Sequence, residues 1–293
     1  MARSPVSRAA RRREAARPPS AADKARGRRA RALAAGALLV ALTLAAYAPA
    51  LDAGFVWDDD EYVTANATLR TVAGLRRIWL EPGAVPQYYP VTFTSFWLEY
   101  RLWGLAPLGY HLVNVVLHGL NAVLLWLVLV RLRVPGAWFA AAVFALHPMQ
   151  VESVAWITER KNVLSGLFAF AAVLVWLAGE RAGWRRDVGV AALFAAAILS
   201  KSVTCTLPAV LLLLDWWRHG TLARRTVVRM LPLAVGGAAM AGMTIWMEQH
   251  HVGATGAAWS LSPAERVLVA GRALWFYPRT LVWPRALPFI YPR

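Results

Sequence analysis

The 293-residue chain has one cysteine, Cys205, and only 16 acidic residues against 32 lysines and arginines. A lone cysteine excludes a disulfide framework and any cysteine-built metal site. No internal repeat with a period of about 20–50 residues is visible, which excludes solenoid and propeller architectures. Charge is scarce overall, at 16% of residues. What charge there is therefore stands out by position.

Apolar residues take the space. They make up 58% of the chain, and the mean hydropathy is +0.44. Both exceed what a soluble domain carries. They come in long blocks, the signature of membrane-crossing helices of roughly 17–25 residues. The expected fold is an all-α polytopic membrane protein, a bundle of about seven transmembrane helices with two large outer loops containing interfacial helices. The spans are placed near 32–51, 110–130, 136–147, 162–178, 188–200, 203–217 and 230–247. Fifteen tryptophans, many near segment ends, suit interfacial belts.

The formal charge of +16 does not call for nucleic acid. Eleven of the basic residues fall within the first 31, in a Pro/Ala/Arg-rich run without periodicity. Residues 1–31 read as a disordered basic tail on the cytoplasmic side, meeting anionic lipid. Basic residues, an apolar run and Ala48-Pro49-Ala50 mimic a cleaved signal peptide. The run 32–51 is long enough to span, so it reads as an uncleaved anchor. With the N-terminus inside, inner segments hold 20 basic residues and outer ones 12, as the positive-inside rule expects.

That topology places Asp58-Asp59-Asp60-Glu61 at the start of a first outer loop, 52–109. This run holds a quarter of all acidic residues. Carboxylates at a bilayer edge are costly unless they face water or do chemistry. In the same loop, Tyr88-Tyr89-Pro90 precedes an apolar, aromatic run that reads as an interfacial helix. The second outer segment, 248–293, is a loop or re-entrant stretch. Within it Ser262-Pro263-Ala264-Glu265 is a capping-box signature, predicting a helix to about Tyr277, where Pro278 should stop it.

Three polar features interrupt the apolar background. His111, Asn114, His118 and Asn121 recur at spacings of 3, 4 and 3, on one helical face about 15 Å long. Interhelical hydrogen bonding accounts for the last three; His111 stays open between structure and site. Glu159-Arg160-Lys161-Asn162 follows His147-Pro148 and Glu152 in an outer loop. Its cations are either surface charges, worth little, or phosphate contacts. Lys201 follows a short apolar segment, 188–199. At about 18 Å against a core of about 30 Å, that segment leaves the lysine submerged. The choice is between snorkelling and an anionic ligand.

Carboxylates facing cations and imidazoles suit group transfer from a lipid-linked phosphate. A carboxylate deprotonates the acceptor hydroxyl, and cations stabilise the departing phosphate. Clustered carboxylates also suit a divalent metal, Mg or Mn, with Asp59, Asp60 and Glu61 as candidates. The candidate substrate-binding residues are His111, Glu152, Arg160, Lys161, Lys201 and Tyr89.

The order of these motifs resembles a known family. An acidic pair follows the first helix. Gln87-Tyr88-Tyr89-Pro90, Gly109-Tyr110-His111-Leu112-Val113-Asn114, His147-Pro148, Val151-Glu152-Ser153-Val154-Ala155-Trp156, Glu159-Arg160-Lys161-Asn162 and Ser200-Lys201 come next. The stretch 50–292 resembles the membrane region of the transmembrane and tetratricopeptide-repeat O-mannosyltransferase-like proteins. More broadly it resembles the GT-C glycosyltransferases. The resemblance implies inverting transfer of a sugar, usually mannose, from a polyprenyl- or dolichyl-phosphate donor to a hydroxyl of a protein or glycan on the outer side. The acidic pair, here Asp58 and Asp59, would carry the catalytic base, with Asp58 the preferred one. It implies an integral membrane location, the cytoplasmic membrane if the host is bacterial. Family members usually continue into further helices and tetratricopeptide repeats; this chain stops at Arg293 and is expected to be a fragment or a truncated frame. Rival readings are a transporter or flippase of lipid-linked sugars, against which the absence of repeat symmetry argues, and a noncatalytic scaffold. Asn66-Ala67-Thr68 is a sequon of little weight alone.

Overall fold

The computed structural model describes residues 20–178, 183–251, 261–285 and 287. By internal contacts the chain divides into residues 1–38 and 39–293. Of the first unit the described part belongs to helix α1 (Ala21–Ala46). That helix begins inside the basic tail, so residues 21–31, expected without structure, are helical. The rest of that tail, 1–19, lies outside the described residues.

The described residues contain no strand. After α1 come α2 (Val72–Leu80), α3 (Pro90–Trp103), α4 (Pro107–Arg131), α5 (Ala137–Leu146), the short α6 (Val151–Ala155), α7 (Arg160–Ala178), α8 (Trp184–Ile198), α9 (Leu207–His219), α10 (Arg224–His250) and α11 (Pro263–Val282). Each predicted span has a helix. Among the described residues, however, only α1, α4, α7 and α10 are long and apolar enough to cross a membrane. α5, α8 and α9 have 10, 15 and 13 residues. At 1.5 Å per residue, ten residues reach about 15 Å, half of a hydrocarbon core. The count of seven spans is therefore not met by helix length.

Local sequence explains the boundaries. Proline occupies the first turn of α3, α4 and α11, where its missing N–H costs nothing. Thr71 caps α2, its side chain accepting from Gly74 N at 2.9 Å. Gly104 ends α3 at φ 59°, a conformation that a side chain makes costly. The predicted capping box exists: Ser262 N donates to Glu265 Oε2 at 2.7 Å, and Glu265 N donates to Ser262 Oγ at 3.3 Å. The expected stop at Tyr277 does not. α11 continues through Pro278 to Val282, losing one backbone hydrogen bond rather than ending.

α4 is central, packed against α5 and α7, and α7 packs against α8. Its polar stripe faces inward as the spacing predicted. Asn114 Nδ2 donates to Trp156 O at 3.0 Å and Asn121 Nδ2 to Val163 O at 2.7 Å, while His118 Nε2 meets Ala145 O at 3.0 Å. Residues 52–109, predicted as an outer loop with an interfacial helix, hold α2 and α3. Their core is aromatic: Tyr62 stacks on Phe93 at 5.1 Å, and Phe55, Phe96 and Trp103 each meet Tyr110 at 5.6–6.2 Å. Such pairs add about 0.5–1.5 kcal/mol each beyond area burial. Gly74 lets α2 lie against Thr68, whose carbonyl oxygen would stand 2.0 Å from an added Cβ. This aromatic base fixes the acidic run that precedes it.

Candidate functional site

The acidic run is split by its own backbone. Trp57 sits at φ 52°, a region costly for a non-glycine residue. From Asp60 to Thr64 the chain forms one wide helical turn, closed by Ala65 N donating to Asp60 O at 2.8 Å. The four side chains therefore diverge. Asp59 points inward and is fully buried. Its Oδ2 accepts from Val56 N at 2.8 Å, and its Oδ1 accepts from both the backbone N and the hydroxyl of Thr158. Burial pushes its carboxyl above the usual range, and these hydrogen bonds pull against that. Asp58, Asp60 and Glu61 are exposed. Asp60 Oδ1 accepts from Thr64 Oγ1 at 2.7 Å. Glu61 lines a separate depression of about 660 Å³ together with Arg77 and His251.

The metal expectation is thereby tested on its donors. Asp59 has both oxygens engaged, Asp60 turns to Thr64 and Glu61 faces another depression. Among the described residues no three His, Cys, Asp or Glu side chains converge as a metal site. Asp59, Asp60 and Glu61 do not fit a common divalent ion.

Thr158 to Lys161 is the hub. Thr158 holds Asp59. Glu159 Oε1 pairs with Lys161 Nζ at 2.9 Å, and its Oε2 with Lys201 Nζ at 3.4 Å. Lys201 Nζ also donates to Asn162 Oδ1 at 2.5 Å. Lys161 lies over the Tyr62 ring, 4.9 Å from its centre. Burial lowers the Lys201 ammonium's affinity for its proton, while Glu159 opposes that. Lys201 is placed from the other side: Val91 N donates to Leu199 O at 3.2 Å and Thr92 Oγ1 to Ser200 O at 3.0 Å, joining α3 to the end of α8.

Tyr62 stands between the acidic run and the lysines. Burial pushes its hydroxyl up, and the carboxylates of Glu159, Asp58 and Glu248 add to this through their negative charge. Its hydroxyl donates to Gln87 Oε1 at 2.7 Å, and Gln87 Nε2 donates to Glu248 Oε1 of α10 at 2.7 Å.

Two predicted contact residues have other tasks. Arg160 is fully buried and its guanidinium is saturated. It donates to Glu99 through NH1 and through NH2 at 3.1 Å, to Asn114 Oδ1, to Tyr110 O at 2.9 Å and to Ser95 Oγ at 3.3 Å. No donor is left to reach a phosphate, so Arg160 is a structural anchor. Tyr89 is buried too, its hydroxyl meeting Ser202 Oγ at 3.4 Å. It fixes the Lys201 segment rather than lining an open surface.

His111 and Glu152, by contrast, line one cavity of about 470 Å³ beside the acidic loop. Glu152 is largely exposed. Its carboxyl is pushed up by partial burial and by Glu159, against the pull of Lys201 and Lys161. Sequence reading paired Glu159 with the neighbouring cations but missed Glu99, Thr158, Asn162, Gln87 and Glu248 as partners. Of those missed, Asn162 carried a signal by adjacency to the two cations and Gln87 by its place in a quoted motif.

Comparison with known proteins follows this geometry. The chain is 39% identical over 137 residues to a protein O-mannosyl-transferase of Drosophila melanogaster, Tmtc1, covering 43% of this chain and 16% of that protein. It is 33% identical over 148 residues to protein O-mannosyl-transferase TMTC3 of Mus musculus, covering 47% and 16%. It is 30% identical over 152 residues to protein O-mannosyl-transferase F38B6.6 of Caenorhabditis elegans, covering 47% and 22%. The chain thus spans less than a quarter of the length of these relatives. No protein-family model matches it, and no solved structure does. The resemblance read from the motifs agrees with the names these relatives carry.

Proposed function

We propose that this chain is the membrane part of a glycosyltransferase that moves a sugar, mannose, from a polyprenyl-phosphate carrier to a hydroxyl of a protein, on the outer face of the membrane. The observation that carries the reading is the division of labour in the acidic run. Asp59 is pinned by three hydrogen bonds, and Asp58 beside it is left exposed. A pinned neighbour holds the loop; an exposed carboxylate is free to take a proton. Relatives named protein O-mannosyl-transferases supply the reaction class.

In this reading Asp58 removes the proton from the acceptor hydroxyl. The hydroxyl oxygen attacks the anomeric carbon as the bond from that carbon to the phosphate oxygen breaks, so configuration inverts. The bond's electron pair leaves on the phosphate. Lys161 and Lys201, two ammoniums sharing one Glu159 carboxylate, receive the charge that develops there. Glu152 and His111 face the sugar-bearing end of the donor. Asp59 keeps Asp58 in place through Thr158, and no step passes through a metal.

The test is Asp58→Asn in the full chain, purified and reconstituted with polyprenyl-phosphate mannose and an acceptor peptide. Transfer is expected to fall at least about 100-fold, the lower end of a general base's contribution, with insertion and thermal stability unchanged. Transfer at the wild-type rate by Asp58→Asn overturns the assignment of the base.

A further inference from the structure

His111 is the least explained side chain in the molecule. It is 2% exposed. Neither ring nitrogen has a hydrogen-bond partner among the described residues. Its neighbours on the same helical face, Asn114, His118 and Asn121, are all bonded. A buried polar group without a partner is costly, because it has given up water and gained nothing in return. The residue nevertheless forms part of the wall of the cavity of about 470 Å³. That volume lies within the roughly 300–1,000 Å³ of small-molecule sites.

The wall selects among occupants. Its polar side chains are His111 and Glu152, and the rest is apolar, with Val56, Met149, Val151 and Trp156 among it. Among the described residues no lysine or arginine lines it, and a carboxylate repels a phosphate, so the phosphate of a lipid carrier is a poor fit. A purely hydrocarbon occupant would leave His111 unsatisfied and desolvate Glu152. A neutral polyhydroxylated ring satisfies both demands: its hydroxyls donate to and accept from an imidazole and a carboxylate, and its C–H faces lie on the indole and aliphatic wall. Apolar lining with a few convergent polar groups is the usual build of such sites.

We propose that this cavity holds the sugar ring of the donor, with His111 and Glu152 reading its hydroxyls, while Lys161 and Lys201 hold the phosphate outside it. The proposal rests on the glycosyltransferase reading and adds to it the place and the determinants of sugar recognition. His111 is then satisfied by substrate and not by the fold, which accounts for its isolation in the bare protein.

The experiment compares two probes on the full chain in lipid nanodiscs: polyprenyl-phosphate mannose, and the same polyprenyl phosphate without sugar. His111→Ala is expected to weaken binding of the mannose-bearing lipid about tenfold, the loss of one to two hydrogen bonds, and to leave the sugarless lipid unchanged. Ala155→Leu fills the cavity without touching a polar group and should discriminate in the same direction. It keeps the test alive if His111→Ala does not fold. Equal effects on both lipids, or none on either, overturn the sugar site while leaving the glycosyltransferase reading intact. A wild-type chain that binds neither lipid overturns that reading and the sugar site with it.

Discussion

Arg160 and Lys201 both meet a glutamate inside the molecule, yet the two regions are built to different ends. Arg160 faces one carboxylate, Glu99, with every guanidinium nitrogen engaged and side-chain exposures of 0% and 6%. Around Glu159 the stoichiometry changes. Two ammoniums share one carboxylate, Lys201 also donates to Asn162, and Lys201 retains 24% exposure. A charge balanced one to one and sealed from water holds a fold together. A cation pair in excess of its nearest carboxylate, with Lys201 partly exposed, can take a further anion. Burial and balance, more than residue type, separate the anchor from the candidate phosphate site.

The largest effect should come from breaking the anchor. Glu99→Ala leaves the Arg160 guanidinium buried without a counter-charge, a change that typically costs about 3–5 kcal/mol. Thermal unfolding in detergent is expected to show a strongly lowered Tm or failure to express. Glu99→Gln, which keeps an acceptor, should lose less. A Glu99→Ala chain as stable as wild type would mean that Arg160 escapes to water and that the two regions do not differ as described.

Lys201→Ala should behave in the opposite way. Glu159 keeps Lys161 at 2.9 Å, so no charge is stranded and stability should barely move. Binding of sugarless polyprenyl phosphate should weaken about ten- to 100-fold, the worth of a hydrogen bond to a charged group at about 1.5–3 kcal/mol. Loss of stability with donor affinity intact would make the cluster a second anchor.

This contrast also marks where sequence stopped being informative. Helical spacing placed His111, Asn114, His118 and Asn121 on one buried face, because 3.6-residue periodicity is local. The capping box at Ser262 was equally local. The carboxylate that holds Arg160 was hidden because it lies 61 positions away in α3, and no spacing rule links two helices across a fold. The inward turn of Asp59 was hidden for the same reason: it is set by Thr158, 99 positions away. Span count is a different matter, because helix length among the described residues does not confirm seven. Apolar composition identifies a helix, but the lengths of α5, α8 and α9 were fixed by where loops and neighbouring helices take over. Asp58 could be singled out only by resemblance until Asp59 was seen to be occupied.

A third ion pair sharpens the comparison from its weak end. Arg77 and Glu81 lie one helical turn apart, from α2 to the residue beyond its end, at 2.7 Å, shorter than either lysine contact of Glu159. Their side chains are 53% and 56% exposed. If distance set the strength of these pairs, Arg77→Ala would rival a change at Glu99. Water argues otherwise. Exposed ions lose little hydration in pairing and so gain little, and an i,i+4 pair is worth about 0.3–0.5 kcal/mol at most. Arg77→Ala should therefore shift the Tm by no more than a degree or two, and added salt should erase even that, because screening acts on exposed pairs first. A shift comparable to that of Glu99→Ala would show that separation, not burial, orders the three pairs, and the argument that sets the Lys201 cluster apart from the Arg160 anchor would fall with it.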